Sequence, residues 1–238
     1  MTAPLVCAVI PAYNEARSIE EIVSRCLQQS VKVLVVDDGS TDGTAELARR
    51  AGAIVVQHEA NQGKGIAIQT AITEVLKRGF DGAIFLDADG QHLPEELPRF
   101  LEAYQRTGAD LVLGSRMHDN GAMPTIRRWA NTASSLVVSL IAGVRITDSQ
   151  SGFRLLSRHT LELLRSETGT GFELESQMLI MAHRQGLKYV EVPITCIYGE
   201  EQSHYRPLRD SSAFIRSMLK EAHHLLKGRI WSRKDKED

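Results

Sequence analysis

Apolar positions in the first half of the chain come in short runs. Residues 5–10, 32–36, 54–57, 83–86 and 111–114 are each rich in Val, Ile, Leu or Ala, and turn-forming residues follow most of them. Runs of this length predict strands buried on both faces. Between them the apolar spacing changes to three and four. Ile19, Ile22, Val23, Cys26 and Leu27 fall on one helical stripe, with Asn14 expected to cap it. Ala45, Leu47 and Ala48 mark a second helix, opened by Thr41 or Asp42 and ended near Gly52. Ala67, Ala71, Ile72, Val75 and Leu76 mark a third, stopped at Gly79, and residues 94–104 read as a fourth. Strands alternating with helices through residue 116 predict an α/β fold, a mainly parallel sheet with helices on both faces.

The second half is less regular. Residues 131–142 predict an unusually apolar helix with Arg127, Arg128 and Arg145 at its ends. Residues 153–156 read as a strand, 172–185 as a helix and 189–198 as a further strand. A polar loop over 199–210 precedes an amphipathic helix. Its stripe is Phe214, Ile215, Met218, Leu219, Ala222, Leu225 and Leu226, flanked by Arg216, Lys220 and Lys227. With no repeat or low-complexity linker, the expected division is a domain over 1–210 and a C-terminal helix and charged tail over 211–238.

Composition narrows the field a little. An apolar share of 42% with 24% charged residues is ordinary for a globular domain. A net charge of −2 argues against a general nucleic-acid binder, which carries a basic excess. Cys7, Cys26 and Cys196 lack metal or redox spacing and sit among apolar neighbours, so they read as buried free thiols. No signal peptide is visible, and no run reaches the ~20 apolar residues that span a bilayer. The expected place is the cytoplasm, or the cytoplasmic face of a membrane as a peripheral protein.

The chemistry lies where the strands end. Val33-Leu34-Val35-Val36 runs into Asp37-Asp38-Gly39-Ser40, and Ala83-Ile84-Phe85-Leu86 into Asp87-Ala88-Asp89-Gly90-Gln91. Ligands of open α/β sheets bind just outside the carboxyl ends of the strands. Asp87 and Asp89 project to one side of an extended segment, and Gln91 adds a neutral oxygen. Hard cations such as Mg²⁺ take oxygen ligands of this kind and bridge to phosphates. An EF-hand loop beginning at Asp87 fails, because His92 and Pro98 occupy its Gly and Glu positions. After the first strand comes Pro11-Ala12-Tyr13-Asn14-Glu15 where a dinucleotide fold carries a Gly-rich turn, and Gly63-Lys64-Gly65 does not complete a phosphate loop. Tyr13 offers a flat face to a base, and Glu15 an acceptor for a ribose hydroxyl or base N–H. Lys64, at the start of a helix, reads as solvated.

These motifs appear in the order seen in family 2 glycosyltransferases. They are Pro11-Ala-Tyr-Asn-Glu15, Asp37-Asp-Gly-Ser-Thr-Asp-Gly-Thr44, Asn61-Gln-Gly-Lys-Gly65, Asp87-Ala-Asp-Gly-Gln91 and Gly114-Ser-Arg116. With Ser151-Gly-Phe-Arg154 and Tyr198-Gly199, residues 5–210 resemble the dolichyl- or polyprenyl-phosphate mannose (or glucose) synthases. The resemblance implies a GT-A fold and a nucleotide-sugar donor, a GDP- or UDP-hexose. It also implies Mg²⁺ or Mn²⁺ as cofactor and a lipid-phosphate acceptor at a membrane surface. It assigns Pro11, Tyr13 and Glu15 to the nucleoside and Asp37 to the base. Asp38 becomes a structural or secondary contact. Asp87, Ala88, Asp89 and Gln91 fall to the nucleotide sugar, with Asp87, Asp89 and Gln91 as the metal set. Arg116 and Arg128 become phosphate-facing cations that serve catalysis together with Asp89.

Two departures bear on the assignment. Where such synthases often carry Ser-Lys in the late loop, Ser203 is followed by His204, with Arg206 and Arg209 close behind, and Arg206 is the expected cationic substitute. Arg128-Trp129 lacks the Gln of the QxxRW motif of processive polymerases, since Thr125 stands there. The expected reaction is an inverting transfer to a polyprenyl phosphate. Transfer to a sugar hydroxyl is the alternative, with Asp148, Glu173 or Glu175 as candidate bases. A non-catalytic nucleotide-sugar-binding protein is the alternative of another class.

Overall fold

The computed structural model describes residues 4–118, 123, 125–165 and 174–197. Arg206, His204 and the expected C-terminal helix and tail lie outside the described residues.

Seven strands form one sheet: β1 (Val6–Ala12), β2 (Lys32–Asp37), β3 (Ile54–Gln57), β4 (Gly82–Phe85), β5 (Leu111–Ser115), β6 (Arg154–Ser157) and β7 (Tyr189–Pro193), in the order β3-β2-β1-β4-β6-β5-β7. β6 runs antiparallel to both its neighbours, and the other pairings are parallel. The helices are α1 (Ile19–Gln28), α2 (Thr44–Arg50), α3 (Lys64–Lys77), α4 (Leu97–Thr107), α5 (Thr125–Ala142), α6 (Arg158–Arg165) and α7 (Leu174–Arg184).

Alternation along the strands sets the three layers. Val6, Ala8 and Ile10 of β1 face α1, α2 and α4 in one core, while Cys7 and Val9 face α3, α5, α6 and α7 in the other. A strand buried on both faces has no polar face to show, which is why its sequence reads as a continuous apolar run. All three cysteines are buried and free, and burial pushes the thiols of Cys7 and Cys26 up to about 12.

The elements depart from the sequence expectation in several places: α2 starts at Thr44 after Gly43, α5 at Thr125 rather than 131, β7 stops at Pro193 rather than 198, and three further differences stand out. Asn14 does not cap α1. It sits in the left-handed region at φ 56, its Oδ1 accepts from the Thr41 amide at 3.0 Å, and Ser18 occupies the helix start. Asn tolerates that backbone better than most side chains because it bonds locally. Second, α6 begins immediately after β6, where the sequence reading left an irregular stretch. Third, Phe153 precedes β6 rather than opening it, and packs its ring between His92 and Phe100 at centroid distances of 5.0 and 4.3 Å.

Because β6 is reversed, its amino end lies beside the carboxyl ends of β4 and β5. The segments after β1, β2, β4, β5 and β7 and the segment before β6 therefore meet at one edge of the sheet.

Candidate active site

The loops after β1 and β2 are joined by hydrogen bonds. The amides of Asn14, Glu15 and Ala16 donate to Ser40 Oγ, Thr44 Oγ1 and Asp42 Oδ2 at 2.8, 2.8 and 3.0 Å. Asp37 Oδ1 accepts from the hydroxyl of Ser40 and, at 3.3 Å, from its amide. Asp37 Oδ2 is buried and has no hydrogen-bond partner among the described residues. Tyr13 is 39% exposed at the mouth of this pair of loops, and Glu15 Oε2 accepts from Ser18 Oγ at 3.4 Å.

Asp38, expected as a structural or secondary contact, is a loop anchor. Its Oδ1 accepts from the Gln62 amide at 3.0 Å and lies 2.7 Å from His58 Nδ1, and its Oδ2 accepts from the Gly63 amide at 2.7 Å. His58 Nε2 lies 2.9 Å from Thr70 Oγ1. Gly39 makes the close approach possible: a Cβ there would stand 2.4 Å from the carbonyl carbon of Ala60, and its φ is +76. The loop so held starts α3 at Lys64. That side chain is not merely solvated, because its Nζ donates to Asp87 Oδ1 at 2.8 Å.

The loop after β4 is held from outside at two points and braced within itself at a third. Ser18 Oγ donates to the Ala88 carbonyl at 2.6 Å, the Asp87 amide donates to His92 Nδ1 at 3.2 Å, and the Ile197 amide donates to the Gln91 carbonyl at 3.0 Å. Asp89 Oδ1 accepts from the Gln91 amide at 3.0 Å, which holds the two groups within one turn. Gly152 completes the nest, since a Cβ there would lie 2.5 Å from Asp87 Oδ2. Burial pushes the Asp87 carboxyl up, but Lys64, His92 and Arg116 outweigh it and hold the group well below the usual carboxylate range. Asp87 therefore remains an anion wherever the protein is folded at neutral pH.

Arg116 follows β5 and is gripped by Asp148. Its Nε and Nη2 donate to Oδ2 and Oδ1 at 2.7 and 2.8 Å, its amide donates to Oδ2 at 3.0 Å, and Asn131 Nδ2 donates to Oδ1 at 2.9 Å. Asp148 is fully buried; burial pushes its carboxyl up, and the Arg116 fork more than reverses that. An oxygen pair with four such donors is a positioning group rather than an open general base. Thr147, next to it, donates its amide and hydroxyl to Glu191 at 2.9 and 2.6 Å. Arg128 lies half-buried on α5. The side chains of Glu173 and Glu175 lie outside the described residues.

The edge thus brings together Pro11, Tyr13, Glu15, Asp37, Asp87, Ala88, Asp89, Gln91 and Arg116. Sequence reasoning missed His58 and Gly152 and underweighted Lys64 and Arg154. Arg154 is 2% exposed and lines a small cavity with Lys64, Asp87 and Gly152. Its signal was available in Ser151-Gly-Phe-Arg154, where a charged residue opens an otherwise apolar run.

Among the described residues no three His, Cys, Asp or Glu side chains converge as a complete metal cage. Asp87, Asp89 and Gln91 nevertheless fit a Mg²⁺-type ion, which is usually held by one or two carboxylates plus substrate phosphates.

The sequence profile described as Glycosyl transferase family 2 matches residues 7–165. The chain is 37% identical over 210 residues to the undecaprenyl-phosphate mannosyltransferase of Micrococcus luteus, covering 82% of this chain and 84% of that one. It is 31% identical over 222 residues to the UDP-N-acetylglucosamine–dolichyl-phosphate N-acetylglucosaminyltransferase of Methanococcus voltae, covering 84% and 88%. Among solved structures, glucosyl-3-phosphoglycerate synthase from Mycobacterium tuberculosis, in complex with Mn²⁺ and UDP-glucose, superposes with a TM-score of 0.69 at 26% identity. The match covers 92% of this chain and 79% of that one.

Proposed function

The chain belongs to glycosyl transferase family 2, and from that premise we propose that it moves a hexose, mannose or glucose, from a GDP- or UDP-sugar to a polyprenyl (dolichyl-type) phosphate with inversion. One observation carries the reading. The strand-end carboxylates Asp87 and Asp89 sit with Gln91 in a loop that is held by Ser18 and Ile197 and flanked by Lys64 and Arg116. The relatives from Micrococcus luteus and Methanococcus voltae, whose names give undecaprenyl phosphate and dolichyl phosphate, support the acceptor class.

In the proposed reaction an acceptor phosphate oxygen attacks the anomeric carbon as the bond to the nucleoside diphosphate breaks. A phosphate monoester has a second pKa of about 6, so it arrives as an anion and needs no strong general base. That matches the commitment of Asp148 to Arg116 and Asn131. The demanding part is negative charge on the departing diphosphate. A divalent cation, Mg²⁺ or Mn²⁺, supplies Lewis-acid stabilisation there when bound, and Asp89 and Gln91 with Asp87 are the residues that would hold it. Lys64 and Asp148-oriented Arg116 add fixed positive charge at the same edge. Tyr13 and Glu15 are assigned to the nucleoside, with Asp37, whose Oδ2 awaits a donor, on the base. Arg128 and Arg206 remain assigned to phosphate groups. The site of action proposed is the cytoplasmic face of a membrane.

The test offers labelled UDP- and GDP-hexoses with polyprenyl phosphate, the matching polyprenol and simple sugars in parallel. Transfer to the phosphate alone is expected. Transfer to a sugar hydroxyl and none to the phosphate would replace the acceptor assignment.

A further inference from the structure

An acid stands in the middle of an otherwise apolar strand. β7 reads Tyr189-Val190-Glu191-Val192-Pro193 and closes the described sheet beside β5. The parallel register sets Glu191 opposite Leu113 and Pro193 opposite Ser115. Side chains two apart share a face of a strand, so Glu191 comes out on the side that carries Leu113 and Ser115. That side packs against α5 and α7, and Glu191 is half-buried there. A carboxylate taken out of water costs stability unless it is hydrogen-bonded. Three donors reach this one. Thr147 gives its amide to Oε1 at 2.9 Å and its hydroxyl to Oε2 at 2.6 Å, and the Tyr189 hydroxyl gives to Oε1. Burial pushes the Tyr189 phenol up and Glu191 adds to the shift, so Tyr189 stays a donor.

The bonds continue from Thr147 to the phosphate-facing edge. With its single proton on Glu191, Thr147 Oγ1 accepts from Ser115 Oγ at 2.6 Å. The pair Thr147-Asp148 thus lies against the pair Ser115-Arg116: Thr147 holds Ser115, and Asp148 takes the Arg116 fork. The segment carrying Thr147 and Asp148 runs between α5 and β6, outside both, so side chains have to place it. From α5, Ser139 accepts from the Ile146 amide at 3.0 Å and Ser135 from the Ser149 amide at 2.9 Å. From the sheet, Glu191 holds the middle. A fork fixes a guanidinium only as well as its carboxylate is itself fixed. The Arg116 side chain is largely buried, so a shift of Asp148 is passed on to it rather than absorbed by solvent.

We propose that Glu191 is a positioning residue: through Thr147 it fixes Asp148, and so sets where the Arg116 guanidinium points. The linkage stands on the bonds above; its use in transfer rests on the reading of Arg116 as a phosphate-facing cation. The test places Glu191→Ala, Glu191→Gln and Thr147→Val in the full chain, each alone and together with Arg116→Lys. Lysine keeps the charge at 116 and cannot take the fork. Glu191→Ala is expected to lower kcat/KM for hexose transfer to polyprenyl phosphate by about tenfold to a hundredfold. Glu191→Gln keeps an acceptor oxygen for Thr147 and should recover most of that loss. In the Arg116→Lys background Glu191→Ala should cost no more than about twofold, because the fork it supports is already gone. Thr147→Val keeps the amide bond and the side-chain shape, should lose less, and stands in if Glu191→Ala does not fold. A second readout needs no substrate. The Arg116 Nε–H, donated to Asp148, gives an NMR resonance identified by its absence in Arg116→Lys. Its hydrogen exchange should be slow in the parent and in Glu191→Gln, and faster by about tenfold or more in Glu191→Ala. Equal losses of kcat/KM in both Arg116 backgrounds overturn the proposal, as does unchanged exchange in Glu191→Ala and Thr147→Val. Faster exchange together with full transfer by Arg116→Lys upholds the linkage and removes Arg116 from the proposed reaction. If the parent transfers to no prenyl phosphate, the acceptor reading falls and the exchange rates alone decide the linkage.

Discussion

Asp89 and Gln91 share one turn, and the Gln91 backbone amide donates to the Asp89 carboxylate, so that carboxylate is already held in place when a cation arrives. Asp89→Ala removes a charged oxygen without disturbing the core. It is expected to fold normally and to lose nearly all transfer, measured as kcat/KM beside a thermal unfolding curve. Full activity with metal still required would remove Asp89 from the metal set. Gly152 acts by what it lacks. Gly152→Ala puts a methyl 2.5 Å from Asp87 Oδ2, so the carboxylate has to leave its place against Lys64. A displacement of about 1 Å in such a group costs on the order of 10²-fold in rate. Comparison with Ser151→Ala, one residue away, checks that the loss follows the clash. The acids at the strand ends were legible in the sequence because carboxylates have few other reasons to follow a buried strand. Gly152 was not, since an absent Cβ leaves no chemical signal until its neighbour across the sheet is known. Lys64 was misjudged and His58 missed for a related reason. Their partners, Asp87 and Asp38, are 23 and 20 residues away, and no local period records them.

At the scale of elements, β5 and α5 are tied through Arg116, Asp148 and Asn131. The carboxyl of Asp148 is held below its usual range, so the sign follows directly: the pair's contribution is complete above the unfolded value near pH 3.9 and drains away as pH falls through the lower folded value. Asp87 acts in the same direction. Neither group makes stability vary between about pH 5 and 8. Asp148→Asn takes the carboxylate away from a largely buried guanidinium and is expected to cost about 3–5 kcal/mol. Urea midpoints recorded across the acid range should show a shallower fall for the variant than for the parent. Parallel strands and the helices between them were readable from apolar period alone. The direction of β6 was not, because a run of four buried residues looks the same in either sense, and α6, eight residues long with no break before it, gave too short a pattern. The boundary of α1 moved because Asn14, a good cap by residue type, was claimed by Thr41 across the loop.

At the scale of the whole molecule, the side of the edge proposed to hold the nucleotide comes from adjacent strands β1, β2 and β4, and the opposite side from β5, β6 and β7. A nucleoside diphosphate with Mg²⁺ or Mn²⁺ would bridge loops from separate parts of the chain, and binding to the native state alone adds RT ln(1 + [L]/Kd). At 100 times Kd this is about 2.7 kcal/mol, or roughly 5–11 °C in Tm for a chain of this size. The shift is expected to need both nucleotide and metal, and to vanish with EDTA or in Asp89→Ala. A full shift with EDTA present would count against a metal bridge. The antiparallel strand in the middle of the sheet also sets an order of assembly. β3, β2, β1 and β4 are neighbours in space and come from the first 85 residues, so they can associate while the chain is still being made. β5 emerges next with nowhere to pair, since both its neighbours, β6 and β7, are still to come. Until residues 154–157 slot between β4 and β5, the sheet has two raw edges and Asp87 has no Gly152 beside it. A ribosome-bound chain at that stage holds only the half of the edge proposed to take the nucleotide, and β6 and β7 supply the rest of the described sheet.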